Sequence, residues 1–201
     1  MKNIIKDSQL IENYKQTLGG VFSFSELATL FADPHKTSLY RRISELEDEG
    51  VLQRFIKGFY VAPNFDIEIL NQKICPQSYI SFTTVLSENS IIGMKPGNQI
   101  DAVKLGKTRI HKSSQWTLRQ FGVAEHLIFG FESLNGVNKA APEKALLDTF
   151  YFHQHGVAFP FDVNSEINWK RIDAEIVQIY LQEYKNPKFV AFMNRLMSVN
   201  L

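Results

Sequence analysis

The chain has 201 residues, 44% of them hydrophobic, and a formal net charge of +1. That apolar content suffices for one sizeable core or two modest ones and excludes a disordered, solvating chain, while the near-neutral balance excludes a binder that holds nucleic acid through a global basic field. No apolar run is long enough to span a bilayer, no internal repeat or low-complexity stretch is present, and the single Cys75 cannot make an internal disulfide.

At the N-terminus, Lys6 and Asp7 precede an amphipathic Leu10, Ile11, Tyr14, Leu18 pattern with no apolar signal core, so a soluble, cytoplasmic protein is the expectation. Cys75 stands before Pro76 with no histidine nearby and reads as a small buried residue or an inert thiol rather than a nucleophile.

Between Phe22 and Val61 the sequence reads helix, helix, hairpin. Leu27, Leu30 and Phe31 recur at helical spacing, and Ser23 with Glu26 has the form of a capping box. Ala32-Asp33-Pro34 then makes the turn, because proline disfavours helix before it and suits the start of the next one. Leu39, Ile43 and Leu46 line one face of a second helix from about Lys36 to Glu49, which assigns Ser38, Arg41, Arg42 and Glu45 to the other. Its cations lie in the first two turns and its acids at the end, so the front half suits phosphates and base edges. Gly50 stops the helix, and Val51–Ile56, Lys57-Gly58 and Phe59–Val61 read as two strands about a glycine turn, with Arg54 and Lys57 on the wing. That order predicts a winged helix-turn-helix over residues 1–66, with Lys36, Thr37, Ser38, Tyr40, Arg41, Arg42, Arg54 and Lys57 as its DNA-facing residues. One recognition helix per chain implies two copies on paired half-sites of double-stranded DNA.

Residues 67–77, ending at Pro76-Gln77, read as a connector packed against the first domain, and residues 78–201 as an α+β effector domain. In it, Tyr79–Glu88 reads as a helix. Ile100–Val103, Arg109–His111, Trp116–Phe121 and His126–Phe131 read as strands of a small antiparallel sheet. Pro142 and Glu143 open a helix after Ala141, and Trp169–Tyr184 and Lys188–Met197 form a helical hairpin around Asn186-Pro187.

Three stretches together resemble the AbiEi antitoxins of type IV abortive-infection toxin–antitoxin pairs: the helix-turn-helix with its Arg54–Tyr60 wing, Tyr79-Ile80-Ser81-Phe82, and Ala140-Ala141-Pro142-Glu143-Lys144-Ala145-Leu146-Leu147-Asp148. The resemblance implies an N-terminal domain that represses its own operon at promoter repeats and a C-terminal domain that neutralises a nucleotidyltransferase-like toxin. Carried over by position, it points to Thr37, Ser38, Arg41 and Arg42 for the groove and Arg54 and Lys57 for the wing. For the antitoxin half it gives a region only: Lys104, Lys107, Arg109, Lys112 and Arg119 form a basic stretch that suits an acidic partner, DNA backbone or plain solvent. The sequence departs from familiar members in carrying Thr83, Thr84 and Ser87 where an Ala/Leu-rich helix is usual.

No catalytic residue, metal or cofactor is expected. His153 and His155 are two apart and face different ways on a helix, Glu143 and Asp148 diverge as an acid–base pair, and Gly93-Met94-Lys95-Pro96-Gly97 lacks the donors of a phosphate loop. The sixteen phenylalanines fall largely on apolar stripes, which favours core packing over base stacking. The rival reading is a one-component transcription factor whose C-terminal domain senses a small molecule.

Overall fold

The computed structural model describes residues 2–94 and 97–200, so Lys95 and Pro96 of the Gly93–Gly97 stretch lie outside the described residues. The chain divides between Pro76 and Gln77 into two compact units. Together they make a mixed α+β protein, with eight α-helices among the described residues. None of these helices is long and apolar enough to cross a membrane.

The first unit runs α1 (Lys2–Lys15), β1 (Val21–Ser23), α2 (Phe24–Leu30), α3 (Lys36–Asp48), β2 (Gln53–Ile56), β3 (Phe59–Val61) and α4 (Ile67–Ile74). Ser23 and Glu26 form the expected capping box: the Ser23 hydroxyl accepts from Glu26 N–H at 3.2 Å and the Glu26 carboxylate accepts from Ser23 N–H at 2.7 Å. Ala32 takes a left-handed conformation (φ 49°) as the chain turns between α2 and α3. The helix stripes converge on one core of Ile11, Phe22, Leu27, Leu39, Ile43 and Leu46, each almost fully buried and each worth roughly 1.5–3 kcal/mol relative to exposure. The first hairpin strand starts two residues later than the sequence suggested, because Val51 and Leu52 N–H still bond back to the Leu46 carbonyl, while the second has the expected bounds. β1, which the sequence reading lacked, completes an antiparallel sheet of order β1-β3-β2. The segment read as a connector is helical instead: Asp66 caps α4 by accepting from Glu68 and Ile69 N–H, and Lys73 reaches the Val21 carbonyl (2.6 Å) and Glu26 (2.9 Å).

The second unit holds β4 (Tyr79–Ile80), α5 (Phe82–Glu88), β5 (Gln99–Leu105), β6 (Arg109–Lys112), β7 (Thr117–Val123), β8 (Phe131–Leu134), β9 (Val137–Ala140), α6 (Pro142–Gln154), α7 (Ala174–Leu181) and α8 (Pro187–Asn200). Its six strands lie in the order β6-β7-β5-β4-β9-β8. The expectation of a small antiparallel sheet is corrected here: β5 pairs parallel with β7 and β4 parallel with β9. β6 turns back against the outer side of β7, so β7 itself must return alongside β5 in the same direction. Two further assignments change. Tyr79 and Ile80 are strand rather than helix, since a fully buried pair suits the middle of a sheet. Residues 125–127 form a 3-10 turn, and the strand lies later, in a β8–β9 hairpin around Asn135 (φ 52°) and Gly136 (φ 79°). Trp169–Arg171 is likewise a 3-10 turn, and α7 begins only after its cap Asp173.

A buried polar cluster ties α6 to the sheet. The Lys144 ammonium bonds the Asp148 carboxylate, which also accepts from Ser81 Oγ (2.8 Å) and the Tyr79 hydroxyl (3.2 Å). Lys144 donates further to the Tyr184 hydroxyl at 3.2 Å and lies 4.7 Å from the centre of the Phe129 ring. Burial pushes the Lys144 ammonium down, opposed by the charge and hydrogen bond of Asp148. Burial drives the Tyr79 and Tyr184 phenols well above their ordinary range, and the Asp148 charge adds to it.

Candidate nucleic-acid interface

α3 has two polar faces with different fates. Lys36, Thr37, Tyr40 and Arg41 are exposed, at positions i, i+1, i+4 and i+5 of one side. The Arg41 side chain is 72% exposed, and its only ion pair among the described residues is a 3.9 Å contact to Glu45 one turn on. Tyr40 lays its ring 4.7 Å from that of Phe24, whose backbone N–H donates to the Gly58 carbonyl at the tip of the hairpin (2.8 Å). Phe24 thus links the exposed face of α3 to the Lys57-Gly58 turn. Lys57 and Arg54 are exposed; Arg54 N–H is held by Glu47 Oε1 at 3.0 Å, which fixes the strand while leaving the guanidinium outside.

Arg42 points elsewhere, and its assignment to the groove is corrected. Its side chain is 13% exposed. Nε and Nη2 donate to Asp7 of α1 at 2.8 and 2.5 Å, and Nη1 donates to the Phe31 carbonyl at 3.1 Å and Asp33 at 3.3 Å, with the guanidinium 4.7 Å from the Phe31 ring centre. Arg42 follows Leu39 by three residues and precedes Leu46 by four, which places it on the buried stripe. Ser38 follows the same line: its hydroxyl donates to Asp33 Oδ2 at 2.7 Å. The Ser38 hydroxyl foremost, then the His35 N–H and Arg42, outweigh desolvation and hold the Asp33 carboxyl below its usual range. The sequence reading named Asp7 and Asp33 but gave neither a role as a partner of Arg42; the signal that finds that role is an arginine on an apolar stripe, which demands a buried carboxylate.

In the second unit the basic stretch separates in the same manner. Lys104 folds back to the Leu105 and Lys107 carbonyls (2.8 and 3.2 Å), and Arg119 pairs with Asp101 at 2.5 Å. Lys107, Arg109 and Lys112 are exposed on and beside the edge strand β6. His155 is exposed, and its ring Nδ1 lies 2.7 Å from the Tyr151 carbonyl.

No family model and no curated protein matches the chain. Among solved structures it is similar to the crystal structure of the RV2827C protein from Mycobacterium tuberculosis, with a TM-score of 0.60 and 11% identity over 91% of this chain and 72% of that one. At that identity the likeness shows a shared fold alone.

Proposed function

We propose that the first unit is a winged helix-turn-helix that binds double-stranded promoter DNA, and that the protein is an AbiEi-type antitoxin and autorepressor whose second unit neutralises a nucleotidyltransferase-like toxin. The observation that carries the DNA half is the solvent-facing row Lys36, Thr37, Tyr40 and Arg41, joined through Phe24 to the Lys57 turn. Inserted N-terminal end first, α3 brings those side chains to phosphates and base edges while Glu45, Asp48 and Glu49 stay outside the groove. Arg41 is the residue free for a base contact, worth about 1–3 kcal/mol against a wrong base when bidentate. A single such helix per chain calls for two copies on a repeated site. The antitoxin half rests on the resemblance of the Tyr79–Phe82 and Ala140–Asp148 stretches, whose side chains meet at Asp148 in the core.

Co-expression with the adjacent toxin-like gene and a promoter reporter tests both halves. Residues 77–201 alone are expected to restore growth without repressing the reporter, and the full chain to do both. Failure of the full chain to restore growth against a gene of proven toxicity would remove the antitoxin reading.

A further inference from the structure

The six-stranded sheet of the second unit ends on β6, which pairs on one side only, with β7. Two bonds at the adjoining turn fix the direction of its backbone groups. Thr117 N–H donates to the Asn98 carbonyl, next to β5, and Ser113 N–H donates to the Trp116 carbonyl. Successive residues of a strand turn their backbone groups to opposite sides, so Leu118 faces β6 and shares ladder bonds with His111, as Gln120 does with Arg109. The N–H and C=O of Ile110 and Lys112 therefore point away from β7, a ready template for another strand.

The side chains along this edge are open as well. Lys107, Arg109 and Lys112 are exposed, and Ile110 is 54% exposed. β6 pairs in unbroken register and holds neither the proline nor the bulge that often blunts an exposed edge. Its charge excludes one occupant and favours another. Two copies pairing through β6 would bring Arg109 and Lys112 of each against those of the other, and like charges directly opposite destabilise a strand pair. Opposite charges stabilise it.

We infer that β6 is a docking edge for an extended acidic segment of another protein, which adds a seventh strand to the sheet. Arg109 and Lys112 are three apart and lie on opposite faces, with Ile110 on the Lys112 face. The segment that fits has two acids three apart, one for each cation, and an apolar residue beside Ile110; running antiparallel to β6, it reads Glu-Thr-Val-Glu. Under the antitoxin reading, on which only the identity of that protein rests, it belongs to the toxin.

Acetyl-Thr-Glu-Thr-Val-Glu-Thr-amide and its Gln counterpart, titrated into the full chain while backbone amides are followed by NMR, test the edge. The Glu peptide is expected to shift the Ile110 and Lys112 amides saturably and slow their exchange, and the Gln peptide to bind about threefold more weakly or worse, the scale of two cross-strand ion pairs. Ile110→Pro removes an N–H that β7 does not use, so it should abolish the Lys112 shift and leave the melting temperature within a few degrees of the parent. Should that variant unfold, Arg109→Glu with Lys112→Glu changes only exposed side chains and should transfer the preference to the Lys counterpart of the peptide. No saturable shift, equal binding of the Gln peptide, or self-association of the chain through β6 would overturn the inference. In cells, Ile110→Pro should still repress the promoter reporter but no longer restore growth. Growth restored equally by the parent and a folded Ile110→Pro chain would overturn the toxin as occupant while the antitoxin reading stands; growth restored by neither would remove that reading, with the peptide titration deciding the edge.

Discussion

Replacing Arg42 by alanine removes four hydrogen bonds that join α1, the end of α2 and α3, and leaves Asp7, only 1% exposed, with a carboxylate stripped of both its guanidinium donors. Removing one partner of a buried pair costs about 3–5 kcal/mol, because the other charge stays desolvated. A unit of 76 residues is worth about 4–11 kcal/mol at roughly 0.05–0.15 kcal/mol per residue, so the loss is about a quarter of its stability or more. Arg41→Ala, next in the chain, deletes a 72% exposed side chain with one 3.9 Å contact and should change stability by no more than about 0.5 kcal/mol. Urea unfolding with amide exchange of α3 as the readout separates the two. An Arg42→Ala protein within about 1 kcal/mol of the parent, with protected α3 amides and a selective loss of DNA affinity, would refute the assignment of Arg42 to the fold.

Acid should loosen the first unit. Burial raises the Glu26 carboxyl, but the Lys73 ammonium and Ser23 outweigh it, so Glu26, like Asp33, titrates below its ordinary value when folded. Their contribution is therefore complete above about pH 5 and is lost as pH falls through the folded-state values, a slope that Glu26→Gln with Asp33→Asn should flatten in amide-exchange measurements. In alkali the sign reverses: Tyr79 and Tyr184 have raised folded values, so their stabilisation is full below about pH 10 and lost above it, and two of the seven tyrosines should ionise only as the second unit unfolds. Ultraviolet titration showing all seven ionising together in the folded protein would contradict this. Gly122→Ala should prevent folding of the second unit, since an added Cβ would stand 1.7 Å from the Gly106 carbonyl oxygen; native-like tryptophan fluorescence in that variant would disprove the close approach.

The first unit was largely legible because its signals are local: a capping box, a proline turn and a glycine hairpin each decide a few residues by their own chemistry. What misled was the sorting of α3 into two faces, where charge was allowed to outweigh spacing at Arg42 and Ser38. The second unit was read less well because its sheet is built by long-range pairing. Nothing near Tyr79 announces that its partners are Val103 on one side and β9 on the other. The missed β8–β9 hairpin did carry a local signal, Asn135-Gly136, the pair best suited to two positive φ angles. The Asp101–Arg119 pair had none: the two are eighteen residues apart and meet only through the register of β5 and β7.

Binding of the full chain to a duplex of its own upstream promoter, followed by fluorescence anisotropy from about 50 to 200 mM salt, tests the central claim most directly. With Lys36, Arg41, Arg54 and Lys57 exposed on one unit, the logarithmic salt slope should be about −3 to −4 per bound copy, at roughly 0.9 per phosphate neutralised. Lys57→Ala should reduce that slope by about one and weaken all sequences alike, whereas Arg41→Ala should cost affinity chiefly on the promoter repeat. No binding at the lowest salt, or binding that neither substitution alters, would contradict the account.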